Sequence, residues 1–146
     1  MIALDTNLLV YAHRVDNPFH AAAVAVVARL AEGEAPWAIP WPCLHEFYNI
    51  ATNPRIHPVP TPVDAAIGQI ECWLESPTLH LLSETRAHWP QLRTVLDRAR
   101  VQGALVHDAR IAALCVAHGV QALWSADRDF SRFPMLRVYN PLIREA

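Results

Sequence analysis

The sequence contains no lysine, few cysteines and no long apolar run. Its 12 basic residues are all arginine and are balanced by 14 acidic residues, which gives a net charge of -2. This excludes the strong basic excess of proteins that bind nucleic acid nonspecifically, so any contact with RNA or DNA must be made at a local site. Arginine offers planar groups that suit phosphate or carboxylate, although codon bias explains the absence of lysine more simply.

Cysteine is scarce, and Cys43, Cys72 and Cys115 are odd in number with no Cys-x-x-Cys pair among them. The spacing excludes a disulfide framework and a zinc ribbon, and it fits a reducing cytoplasm. No apolar stretch approaches the roughly 18 to 20 residues that a membrane span needs, and the residues before Asp5 carry no basic leader. We therefore expect a cytoplasmic protein that is neither exported nor embedded in a membrane.

The chain has the size and composition of one globular domain. It has 146 residues, of which 53% are hydrophobic and 18% are charged. A chain of this length buries about 70% of the surface that its unfolded form exposes. We therefore expect a single domain over residues 1–146.

Short apolar segments alternate with helical patterns along the chain. Strands are predicted at residues 2–4, 37–39, 79–82, 120–124 and 136–139. Helices are predicted from residue 18 through residues 21–30 to a stop at Gly33, and at residues 42–52, from 62 onwards, 89–100 and 106–118. This alternation predicts an α/β fold with a parallel sheet covered by helices on both faces. In such sheets, ligands bind beyond the carboxyl ends of the strands, where the winding direction reverses.

Three residues are predicted to begin or end these helices. Asn17 and Thr61 have side chains that can cap the helices that follow them, each with a proline next in sequence. Gly119 follows residue 118 and suits the left-handed backbone conformation that ends many helices. These assignments fix the expected boundaries between helices and loops.

Four acidic residues fall where this fold would bring them to one end of the sheet. Asp5 directly follows the first strand, and Asp127 lies just beyond the fourth. Glu46 and Asp108 lie in the early turns of two helices. Carboxylates crowded together repel one another, and a cation allows them to coexist. Their oxygen atoms predict a site for Mg²⁺ or Mn²⁺, which can hold a phosphodiester and activate water.

Each acid also has a structural explanation. Asp5 could cap the next turn, Glu46 could be an exposed helical residue, and Asp108 could favour the positive end of its helix dipole. Asp127 and Asp129 could cap a turn. The joint interpretation as a metal site is favoured because all the positions follow from one topology. Zinc is disfavoured because none of the eight histidines forms a pair at ligand spacing on one helix.

Several segments, in this order and spacing, resemble the PIN-domain ribonucleases, especially the VapC-type toxins of bacterial toxin-antitoxin pairs. They are Ile2–Asn7, Glu46, His107–Ala113 and Ser125–Phe130. The resemblance spans almost the whole chain. It implies a three-layer α/β/α sandwich with a central parallel five-stranded sheet in the order 3-2-1-4-5.

The resemblance also implies roles for individual residues. The acidic metal pocket would consist of Asp5, Glu46, Asp108 and Asp127. Asp129 would be a further acid at its margin, and the supporting polar residues would be Thr6, Asn7 and Ser125. Ser125 stands where many members of the family have threonine, so the hydroxyl is kept.

By the same resemblance we expect Mg²⁺- or Mn²⁺-dependent hydrolysis of RNA that leaves a 5′-phosphate. Growth inhibition, neutralisation by a small VapB-like antitoxin and a homodimeric state are further expectations. The expected RNA substrate is tRNA, rRNA or mRNA. The amino-acid sequence of one chain does not specify the RNA sequence that is cleaved. Candidates for phosphate contacts, chosen by their proximity in sequence, are Arg14, Arg110, Arg128 and Arg132.

Two other functions remain open. One is a catalytically silent PIN-like module that binds RNA or a protein without cutting. The other is a phosphatase or DNA nuclease with the same acidic pocket, because a metal clamp on phosphoryl oxygen does not by itself select RNA.

Overall fold

The computed structural model describes residues 1–143, and within them a five-stranded parallel sheet forms the centre of the fold. The strands are β1 (Ile2–Leu4), β2 (Trp37–Pro40), β3 (Leu79–Leu82), β4 (Ala122–Trp124) and β5 (Val138–Tyr139). Their order is β3-β2-β1-β4-β5, and every neighbouring pair is parallel. This confirms the predicted strand order. The winding direction reverses between β1 and β4, so the crevice for a ligand lies beyond their carboxyl ends.

Helices flank the sheet in an α/β/α arrangement. The α-helices are α1 (Thr6–His13), α2 (His20–Glu32), α3 (Trp41–Thr52), α4 (Val63–Leu74), α5 (His88–Ala99) and α6 (Val106–Ala117). Short 3-10 helices span Gly103–Leu105 and Arg128–Arg132. Helix α1 packs against α2 and α3, α3 packs against α4, and α5 packs against α6. No helix within residues 1–143 is both long and apolar enough to cross a membrane.

Helix α1 was not predicted from the sequence. Asp5 is its N-cap: the backbone there is extended, and the Asp5 carboxylate accepts a hydrogen bond of 2.8 Å from the Thr6 amide. Leu8, Leu9 and Val10 are buried against the sheet and its neighbouring helices. An eight-residue helix is too short to be stable alone, so this tertiary burial stabilises it.

Two predicted helix caps were wrong. The Asn17 side chain accepts a hydrogen bond from the Phe19 amide and forms a turn, and α2 begins only at His20. Thr61 does not cap α4, because its hydroxyl is hydrogen-bonded to the His13 ring at 3.0 Å. Gly119 is confirmed in the left-handed region, with a φ of 68°.

The last two strands are shorter than predicted, because residues at their starts serve other contacts. Val120 donates its amide to the Cys115 carbonyl and so closes the end of α6 instead of pairing in the sheet. Leu136 is buried, and its amide hydrogen-bonds to the Phe133 carbonyl in a turn. The apolar residues therefore identified core positions correctly, but the strands predicted from them were longer than β4 and β5.

Candidate active site

The strand pairing brings Asp5 next to Ser125. Leu4 of β1 lies opposite Trp124 of β4, so the residues that follow the two strands emerge side by side. Both side chains are buried, and the Ser125 hydroxyl donates a 2.7 Å hydrogen bond to the Asp5 carboxylate. The two segments, 120 residues apart in sequence, therefore meet at the carboxyl end of the sheet, as predicted.

Asn7 ties these segments together. Its side-chain amide donates to the Asp5 carboxylate at 3.3 Å and to the Ser125 hydroxyl at 3.2 Å, and its carbonyl oxygen accepts from the Ala126 amide at 3.1 Å. The Ser125 hydroxyl also accepts from the Asp127 amide at 3.0 Å. This network fixes the backbone that carries Asp127 relative to Asp5.

Asp108, Asp127 and Asp129 form the tightest acidic group in the described part of the chain. One carboxylate oxygen from each lies within 4.8 Å of the others. Asp127 caps the second 3-10 helix by accepting from the Asp129 amide at 2.8 Å, and Asp108 lies in the first turn of α6. Asp129 was placed at the margin from sequence, whereas its carboxylate lies among the most closely spaced oxygens.

Glu46 reaches the same region from α3. Its carboxylate accepts a 3.1 Å hydrogen bond from the Thr6 hydroxyl, which connects it to the start of α1. A cleft of about 490 Å³ contains Glu46 and is lined by residues of α3, α6 and the loop before α6, including His45, Asn49, Ala104, His107 and Asp108. Glu46 and Asp108 therefore face an open cleft that can admit a ligand.

The surroundings disfavour the charged forms of two of these acids. Burial raises the pKa of Asp5 to about 6, against the opposing effect of the hydrogen bonds from Ser125 and Thr6. Burial, together with the negative charges of Asp127, Glu46 and Asp129, raises the pKa of Asp108 to about 6. At neutral pH the folded chain therefore holds several carboxylates at an electrostatic cost that a cation would remove.

A divalent cation fits this set of donors. Among residues 1–143, none of the five acids makes an ion pair with a basic side chain. The available donors are carboxylate oxygens, which Mg²⁺ and Mn²⁺ prefer. The residues that converge on the site are Asp5, Glu46, Asp108, Asp127 and Asp129.

Cys43 is a site residue that the sequence analysis missed. It is fully buried, and its thiol donates to the Asp5 carboxylate at 3.6 Å. Burial, together with the nearby Asp5 carboxylate, raises the pKa of this thiol well above its usual range, so it remains a protonated donor. One signal was available: Cys43 precedes Glu46 by three residues on α3, a spacing that puts both on one side of a helix.

Three of the four arginine candidates lie close to the acids. Arg110 lines the cleft and is ion-paired with Glu84. Arg128 and Arg132 are exposed on the 3-10 helix that also carries Asp129. We call these three arginines, which lie on the two elements that carry Asp108 and Asp129, the basic rim.

Arg14 lies elsewhere. It follows the last residue of α1, whereas Asp5 precedes the first, and eight helical residues span about 12 Å. Its buried guanidinium pairs with Asp16 at 2.7 Å and donates to the Val59 carbonyl at 2.8 Å and the Thr61 hydroxyl at 3.3 Å. The structure therefore separates Arg14 from the acids, and its hydrogen-bonding capacity is largely used.

Comparison with known proteins identifies the family of this fold. Residues 2–135 match the family model of the PIN domain. The chain belongs to the PIN-domain family. Ribonuclease VapC48 of Mycobacterium tuberculosis is 32% identical to this PIN domain over 137 residues, which are 94% of each chain. Ribonuclease VapC31 of the same organism is 35% identical over 141 residues, covering 97% of this chain and 99% of the relative. These relatives confirm the resemblance to VapC-type ribonucleases.

Solved structures share the fold of this PIN domain. VapBC2 from Rickettsia felis, bound to a DNA fragment from its promoter, matches with a TM-score of 0.67 and 21% identity, over 96% of this chain and 98% of the other. The sarcin-ricin loop cleaving toxin VapC20 of M. tuberculosis also gives 0.67, at 20% identity over 94% and 99%. At these identities the likeness concerns the fold alone.

Proposed function

We propose that this PIN domain is a VapC-type toxin: an endoribonuclease that hydrolyses RNA phosphodiester bonds at its acidic site with Mg²⁺ or Mn²⁺ as cofactor. The observation that carries the proposal is the convergence of five acidic side chains, with no basic partner among residues 1–143, at the carboxyl end of the sheet. Relatives that bear the name ribonuclease and are 32 to 35% identical over nearly the full chain support the reaction class.

The closely spaced oxygens of Asp108, Asp127 and Asp129 are the best placed to hold the ion, with Asp5 and Glu46 beside them. A bound divalent cation would supply positive charge for the phosphoryl oxygens and lower the pKa of a water molecule. The sequence-predicted set of four acids is retained in this proposal, and Asp129 is added to it as a full member.

The supporting residues hold the carboxylates in place. Ser125, Asn7 and Thr6 donate to Asp5, and the Thr6 hydroxyl also donates to Glu46. Side chains fixed in this way need little reorganisation when charge develops on the phosphate. Fixed geometry is therefore what these polar residues contribute to the reaction.

The basic rim reduces the repulsion between RNA and the acids. RNA is a polyanion, and a cluster of carboxylates repels it unless cations lie nearby. Arg110 on the wall of the cleft can contact a phosphate next to the scissile one, and Arg128 and Arg132 can contact the backbone on the side of Asp129. Arg14 is left out because its guanidinium is buried in other contacts.

The relatives also suggest the biological setting. Structures of VapBC from Rickettsia felis and Salmonella typhimurium share this fold. We infer that a VapB-like antitoxin restrains the chain, that unrestrained activity inhibits growth, and that the chain acts in the cytoplasm as a homodimer. A basic side chain of the antitoxin placed against the acids would supply the missing positive charge.

The test is the substitution Asp5→Asn in protein purified without antitoxin. Total cellular RNA is incubated with Mn²⁺, and cleavage is mapped by sequencing the new 5′ ends. We expect the variant to keep the circular dichroism spectrum of the wild type and to lose cleavage. Asp64→Asn, an exposed acid in the first turn of α4, is the matched control and should cleave normally. Full activity in the Asp5 variant would refute the proposed site.

Further assays of the same purified protein distinguish between the alternative functions. If the wild type binds Mn²⁺ in calorimetry but cuts no RNA, the silent PIN-like module is the better description. Parallel assays on single-stranded DNA and on a small phosphate ester would reveal a DNA nuclease or a phosphatase with the same pocket.

A further inference from the structure

A second concave surface lies on α5 and the loop that follows it. This groove, which we call the α5 groove, has a volume of about 760 Å³. The residues that characterise it are Trp89, Arg93, Arg98, Arg100 and Gln102. None of these residues belongs to the acidic site.

The charge of the α5 groove is opposite to that of the whole chain. Arg93 and Arg98 are exposed, and neither forms an ion pair within residues 1–143. Arg100 pairs with Asp97 at 2.9 Å, but both side chains are largely exposed, and such pairs are weak and exchange readily. Three guanidinium groups and one carboxylate therefore make the groove locally basic in a chain whose net charge is -2.

An exposed aromatic side chain accompanies the arginines. Trp89 lies in the first turn of α5 and is 61% exposed, whereas Trp37 and Trp73 are buried in the core. A tryptophan ring that is exposed beside basic side chains is available to stack on a flat group of a partner. Basic side chains beside a stacking platform are the combination that single-stranded nucleic acid binds.

The α5 groove adjoins the acidic cleft. Helices α5 and α6 pack against each other and are joined by residues 100–105. Gln102 lines the α5 groove, while Ala104 lines the cleft that contains Asp108. Residues two positions apart lie within about 7 Å of each other along the backbone. A chain of nucleotides leaving the cleft can therefore enter the groove directly.

We propose that the α5 groove binds the single-stranded RNA that flanks the scissile phosphate, with Arg93 and Arg98 on the backbone and Trp89 stacked on a base. The inference rests on the proposed ribonuclease function and extends it to how the substrate is held. A protein occupant would need an acidic face and would not require a position near the cleft. The short backbone distance between Gln102 in the groove and Ala104 in the cleft favours RNA.

Binding is measured by fluorescence anisotropy with a labelled, mixed-sequence, single-stranded RNA of about 24 nucleotides, in EDTA to prevent cleavage. The double variant Arg93→Gln/Arg98→Gln is compared with Arg55→Gln/Arg137→Gln, which removes the same charge from exposed positions outside the groove. Each phosphate contact adds about 0.7 to the slope of log affinity against log salt for a single strand.

We expect the groove variant to reduce the magnitude of that slope by about 1.4 and the control pair to leave it nearly unchanged. Trp89→Ala should weaken binding about five-fold or more with no change in slope, and Trp89→Phe should retain most of the affinity. Equal slopes for the two double variants, or no measurable binding by the wild type, would overturn the inference.

Two further measurements distinguish RNA binding by the groove from a protein interface and from the proposed ribonuclease function itself. Sedimentation of the same variants detects a protein interface: loss of self-association in the groove variant, with an unchanged salt slope, would assign the surface to protein and reject RNA. Cleavage of total RNA by the wild type tests the proposed function separately. If the wild type cuts no RNA but its binding depends on the groove, the proposed function fails and the groove assignment stands.

Discussion

The two ends of α1 differ in whether a buried charged side chain has a partner of opposite charge. At its C-terminal end, the Arg14 guanidinium has a carboxylate, a backbone carbonyl and a hydroxyl as partners, and the hydrogen bond from Arg14 holds the pKa of Asp16 below its usual value. At its N-terminal end, Asp5 has neutral hydrogen-bond donors but no basic partner in residues 1–143. Its pKa is raised to about 6, mainly by burial.

This difference distinguishes a charge that serves the fold from charges that serve a ligand. Arg14 connects α1 to the segment before α4, and its positive charge is compensated within the protein. Asp5 and its acidic neighbours remain uncompensated, which makes the folded state less favourable unless a cation binds. Perturbed carboxylates in a cleft are candidates for function for this reason.

The largest expected effect comes from Asp108→Asn. We expect RNA cleavage to fall by more than about 100-fold, because replacing residues that only support a metal ligand already costs 10- to 100-fold. The free energy of unfolding without metal should stay the same or increase, because the substitution removes a charge repelled by Asp127, Glu46 and Asp129. Cleavage assays and urea unfolding in EDTA measure the two quantities. A marked loss of stability with retained cleavage would make Asp108 a structural residue.

The opposite pattern is expected for Arg14→Gln. Loss of the buried hydrogen bonds to Val59 and Thr61 should lower the free energy of unfolding by about 2 kcal/mol. Cleavage should be measured at a temperature where the variant remains folded. The rate should then be within about two-fold of the wild-type rate, because a substitution away from the acidic site is expected to have only a small effect. Arg55→Gln, an exposed arginine, is the control for the loss of charge. A large drop in cleavage by the folded Arg14 variant would show that Arg14 also acts in the reaction, and the two ends of α1 would then not differ in role.

The smallest effect concerns pH and metal. The pKa values of Asp5 and Asp108 are raised in the folded state, so between about pH 4 and pH 6 the folded chain binds more protons than the unfolded chain. By linkage, the stability of the metal-free protein should therefore fall as pH rises through this range. Mn²⁺ should restore stability above about pH 6, where both carboxylates are free to bind it.

Thermal unfolding with Mn²⁺ or EDTA checks this. At ten times its dissociation constant the ion should add about 1.4 kcal/mol, or about 3 to 6 °C in Tm, near pH 7.5. The increase should be much smaller near pH 5 and should be reduced in Asp108→Asn. An equal increase at both pH values would show that the ion binds elsewhere.

Much of the fold and the site could be predicted from the sequence. Apolar runs of three to five residues separated by helical patterns specified a parallel sheet. The residues after the first and fourth strands specified where acids would gather. The acidic positions could be named because a carboxylate directly after a strand, such as Asp5, keeps its place whatever the exact length of the helices around it.

Other features could not be read from local patterns. Thr61 has the right side chain for a cap, but its hydroxyl is hydrogen-bonded instead to His13 at the end of α1 and to Arg14 just after it. Arg14 is near Asp5 in sequence, yet a helix that local propensity alone did not reveal carries it to the far end of α1. Cys43 became part of the site only because α3 packs beside the start of α1.

The sequence by itself determined the alternation of strands and helices, because hydrophobic periodicity is a property of the chain. The order and spacing of its motifs determined the resemblance to the family, and that resemblance implied the strand order. Only the tertiary structure decided which charges are compensated, because ion pairs, burial and shared hydrogen bonds depend on residues distant in sequence. It alone showed that Arg14 is occupied, that Asp129 joins the acidic group, and that a basic groove adjoins the cleft.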